Sequence, residues 1–85
     1  MSESLSVTEI DELVSLLRRR LEVIADHAWR DRDAESHLDA LKTVSEAVLA
    51  WHQARQGRLD PRLDHFLTRG SYEKALGWLE DELKS

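Results

Sequence analysis

The stretch SVTEIDELVSLLRRRLEVIADHA, residues 6–28, decides the fold class of this 85-residue chain. Ser6 and Glu9 at its head have the spacing of a capping box, in which hydroxyl and carboxylate satisfy orphan backbone donors reciprocally. Behind that start, Val7, Ile10, Val14, Leu17, Leu21, Ile24 and Ala28 recur at alternating intervals of three and four, the seam of a helix packed lengthwise on another helix. A second row, Leu13, Leu16, the stem of Arg20, Val23 and His27, runs beside the first and widens the apolar arc to about 160°. One neighbour cannot cover an arc of that width. Asp11, Glu12, Ser15, Arg18, Arg19, Glu22 and Asp26 fill the remaining, water-facing side.

Toward the C-terminus, Asp31-Arg32-Asp33 interrupts the apolar pattern, and Asp33 is the N-cap expected for a second helix. The spacing predicts helices over 7–30 and 34–56, joined by a turn so short that they form an antiparallel α-hairpin. The second helix groups Leu38, Ala40, Leu41, Val44, Ala47, Val48, Leu49 and Trp51 on one wide face, opposite Glu35, Asp39, Lys42, Glu46 and Gln53, and Gly57 is its stop signal. Asp60-Pro61 starts a short helix over 61–69, because proline at the first helical position loses no hydrogen bond. Gly70 ends it, and Ser71 caps a last helix over 72–84 with the stripe Tyr72, Ala75, Leu76, Leu79 and Leu83 and with Trp78 at its margin. No segment alternates apolar and polar residues with period two, so no strand is expected. The fold class is all-α: one small helical bundle, a long antiparallel α-hairpin plus two short C-terminal helices, after a flexible N-terminus at residues 1–5.

Gly70-Ser71-Tyr72-Glu73-Lys74-Ala75-Leu76, with Leu79 after it, resembles the second helix of a tetratricopeptide repeat. The resemblance covers that stretch alone. Pro61 falls inside what would be the first helix of the repeat, and there is no second copy to stack upon, whereas repeat folds need about three copies to be stable. A single short helix with small residues for tight packing is the expectation retained.

Composition excludes several functions. Without cysteine there is no thiolate catalysis, iron–sulfur cluster or thiolate zinc site, and a reducing, cytoplasmic setting is expected. The polar start Met1-Ser2-Glu3-Ser4 does not read as a secretory signal, and no apolar run approaches the roughly 20 residues that span a bilayer. Seventeen acidic against twelve basic residues leave a net charge of -5, which repels a phosphate backbone, so neither nucleic acid nor membrane is an expected partner. Arg18, Arg19 and Arg20 point three ways around a helix, with Glu22 in reach of the first two, and therefore read as an ion-pair face. No serine, histidine and acid stand at an informative spacing, and no glycine-rich phosphate loop exists, so no enzymatic activity and no cofactor are expected.

Two sites remain. Residues whose numbers sum to about 64 face each other in a straight hairpin turning near Arg32, which sets His27 and His37 near the turn with Asp31 and Asp33 beside them. Two imidazoles and two carboxylates suit zinc or another divalent ion, and this is the rival reading. The leading one follows from length: the two long helices run about 34 Å and the last about 20 Å, so the half nearest the turn lacks an intrachain cover. Val23, Ala28, Trp29, Ala40 and Leu41 fall there and predict a protein interface, most simply a homodimer of a non-enzymatic interaction module.

Overall fold

A computed structural model describes residues 5–84, and among them it has five helices and no strand: α1 (Val7–Ala25), α2 (His27–Arg32), α3 (Ala34–Ala54), α4 (Pro61–Thr68) and α5 (Tyr72–Lys84). Of the N-terminus expected to be flexible, residues 1–4 lie outside the described residues, and Leu5 is half-buried against the core. The all-α class holds. The boundaries differ most where the first helix was expected to be continuous.

The capping box forms as its spacing requires: Ser6 Oγ accepts the Glu9 N–H and Glu9 Oε1 accepts the Ser6 N–H, each at 3.1 Å. At the other end, the helix expected over 7–30 is two helices. Asp26 leaves helical geometry (φ -84, ψ 78), its N–H turning back to the Val23 carbonyl at 3.2 Å while its carboxylate accepts the Trp29 N–H at 3.0 Å. It ends α1 and caps α2 at once, because an aspartate competes for backbone donors that a continuous helix would use. Asp33 repeats the device for α3, accepting the Ser36 N–H at 3.0 Å.

Both later stops are glycine-driven. Gly57 (φ 84) reverses the chain after α3, and Gly70 (φ 72) follows α4 in a left-handed conformation that L side chains rarely adopt. The Ser71 N–H reaches the Phe66 carbonyl at 2.8 Å and the Gly70 N–H the Leu67 carbonyl at 3.2 Å, the paired bonds of a Schellman motif. Asp60 caps α4 through the Arg62 N–H at 2.8 Å, with Pro61 in the first turn.

Helices α1 and α3 pack as the antiparallel hairpin, α5 runs back along α1, and α4 lies on α5. The main core takes Leu13, Val14 and Leu17 from α1, Val48 and Trp51 from α3, Leu63 and Leu67 from α4, and Ala75, Leu76 and Leu79 from α5. The buried line on α1 therefore runs between the two apolar rows, since α3 and α5 flank it, and Val7 and Ile24 of the expected seam stay exposed. The molecule measures 50 × 25 × 22 Å; outside the main core Val23 and His37 are buried near the turn, and Val44 is buried midway along α3. No helix among the described residues is long and apolar enough to cross a membrane.

Candidate interaction surfaces

The break at Asp26 decides the fate of both sites expected near the turn. Ending α1 there frees the Val23 carbonyl from its ordinary partner four residues on, and the His37 Nε2–H donates to that carbonyl at 2.5 Å. The Trp29 ring stands edge-on to the His37 ring, centroids 5.6 Å apart at 85°. With α2 packed on α3, Val23 is 1% exposed and His37 only 7%. Val23 therefore has an intrachain cover, where the straight hairpin left it open. Trp29, Ala40 and Leu41 are half-buried and Ala28 is exposed, so the five expected residues do not form one open patch.

The metal set also separates. His37 is spent on a carbonyl and Asp33 on the α3 cap, while His27 and Asp31 lie exposed on α2. Among the described residues no three His, Asp or Glu side chains are placed to hold an ion. The facing rule for a straight hairpin fails because the chain resets its helical phase at Asp26.

Exposed apolar side chains identify a different surface. Leu38 is 64% and Leu49 is 52% exposed, and three helical turns separate them along one line of α3. Half-buried Leu41 and Ser45 adjoin that line, and Lys42 and Glu46 border it on the solvent side. Ser45 Oγ accepts from Arg20 Nε at 3.4 Å, and the Arg20 guanidinium lies 4.5 Å over the Tyr72 ring. These contacts cover the inner edge of the stripe and leave its two leucines uncovered.

The open end of the bundle is held by charge. Glu9 receives Arg55 Nε at 2.8 Å and Arg58 at 3.0 and 3.2 Å in addition to the Ser6 N–H, tying the start of α1 to the end of α3 and the loop after it. The Ser6 backbone bond and then the two guanidinium groups lower its pKa from the ordinary 4.5 to about 2. A carboxylate with a depressed folded pKa contributes stability in full above the unfolded value and loses it as pH falls. Urea midpoints of the wild-type protein are expected to drop between pH 4.5 and 2 by more than those of Glu9→Gln. Parallel midpoint curves would assign the acid response to other carboxylates.

Beside this network a cleft of about 400 Å³ lies between the start of α1, the loop before α4 and the end of α5. Leu5, Ile10, Leu59, Leu63 and Trp78 line it, with Arg58, Asp60 and Glu82 at its polar margin. Sequence reading alone missed this cleft, since its lining comes from three separated segments of the chain. Elsewhere, His52 Nε2 and Asp64 Oδ1 meet at 2.7 Å and join α3 to α4. No hydrogen bond extends that pair to a hydroxyl among the described residues. No family model, curated protein or solved structure matches this chain.

Proposed function

We propose that this protein is a non-enzymatic interaction module of the cytoplasm that pairs with a second copy of itself through the outer face of α3. The observation that carries the reading is the line of Leu38 and Leu49, two leucines more than half exposed on one helix face. Single exposed leucines are ordinary, but two on one face of one helix, with Lys42 and Ser45 between them, give a small domain an apolar-and-charged stripe that a partner can cover.

A two-fold axis between Lys42 and Glu46 makes that line self-complementary. Two α3 helices crossing antiparallel there bring Leu38 of each copy toward Leu49 of the other. Lys42 and Glu46 then exchange partners across the axis, which adds opposite-charge contacts at the rim. The pairing offsets the thin margin of a chain of this size, because burying one more apolar face raises the buried fraction.

Sedimentation or light scattering of the wild-type chain is expected to show a dimer at micromolar concentration. Leu38→Asp with Leu49→Asp is expected to weaken association at least about tenfold while leaving the helical circular-dichroism signal intact. A wild-type monomer up to about 100 μM, or a dimer unaffected by both substitutions, defeats the pairing on α3.

A further inference from the structure

We infer that the open-end cleft is a second docking site, which accepts the apolar face of a basic amphipathic helix from a partner protein. Its interior is apolar, formed by Leu5, Ile10, Leu59, Leu63 and Trp78, and its volume of about 400 Å³ admits large anchoring side chains.

The charge around the cleft selects the partner. Among the described residues that line the cleft Arg58 is the one cation, and it shares the Glu9 carboxylate with Arg55 through contacts of 3.0 and 3.2 Å. Asp60 and Glu82 have no ion-pair partner among the described residues, so the lining sets two carboxylates against one cation. Glu82 stands in the last turn of α5, where the negative end of the helix dipole adds to its field. The net charge of -5 acts in the same direction at long range. An apolar hollow with an acidic rim fits leucine or aromatic anchors flanked by lysine or arginine, and it repels nucleic acid and anionic membranes. The cleft lies between α1, α4 and α5, away from the Lys42–Glu46 centre of α3, so this inference stands apart from self-association.

The test is fluorescence anisotropy of a labelled leucine–lysine amphipathic peptide of about five helical turns, titrated with the full chain. Its leucine–glutamate counterpart is the charge control. Micromolar binding of the lysine peptide is expected, weakened roughly tenfold in Trp78→Ala and in Glu82→Lys. Asp39→Lys makes the same charge change on exposed α3 and is expected to bind like wild type. Circular dichroism checks that each variant is folded, and Glu82→Lys on the exposed helix end carries the test if Trp78→Ala is not. Three results overturn the site: no binding at about 100 μM, equal weakening in Glu82→Lys and Asp39→Lys, or equal binding of the glutamate peptide.

Discussion

Val23→Asp is expected to lower the melting temperature by about 12 °C or more, while Ile24→Asp, one residue on, leaves it near the wild-type value. Val23 is 1% exposed, so an aspartate there loses its hydration with no cation to replace it. An uncompensated buried charge costs about 3–5 kcal/mol, against a total stability of about 4–13 kcal/mol for a chain of this length. Ile24 is 40% exposed, and a carboxylate at that position reaches water. The pair of substitutions distinguishes the broken helix from a continuous one. In a continuous helix Val23 faces outward near the turn, and Val23→Asp separates a dimer without unfolding the protomer. A folded Val23→Asp variant with wild-type melting would restore that arrangement.

The second expected result concerns two leucines that look alike in the sequence, each on the apolar face of a long helix. Leu17→Ala is expected to cost about 3–5 kcal/mol in urea denaturation, since Leu17 is 1% exposed within the main core and its loss leaves a cavity. Leu41→Ala is expected to cost about 1 kcal/mol, because Leu41 is half-buried and outside that core. Equal costs at the two sites would mean that the core extends to the turn end. A larger cost at Leu41 only at concentrations where the protein pairs would place that side chain in the dimer contact.

Charge and core divide the labour at the open end. Trp51 donates from Nε1 to the Glu9 carbonyl at 3.2 Å, and Arg55 lies 4.6 Å over the Trp51 ring while reaching the Glu9 carboxylate. The same residue that completes the capping box thus anchors the far end of the hairpin. These contacts tie α1 to α3 beside the cleft, and α5 supplies its other side.

The all-α class, the hairpin, the capping box at Ser6, the aspartate caps at Asp33 and Asp60 and the glycine stops were legible in the sequence because each rests on residues a few positions apart. Local hydrogen bonding and the helical repeat determine such features without reference to the rest of the chain. The break at Asp26 was not legible. An aspartate on the solvent face of a helix and one that caps the next helix look the same in the apolar pattern, which resumes after the break at Ala28 and Trp29. What decided between them was tertiary: α2 packs on α3, and His37 takes the carbonyl that the break releases. From that single reset follow the burial of Val23 and the dispersal of His27, Asp31, Asp33 and His37. The cleft at the open end depends in the same way on segments that only packing brings together, because a hollow is a property of the distances between elements and not of any one of them.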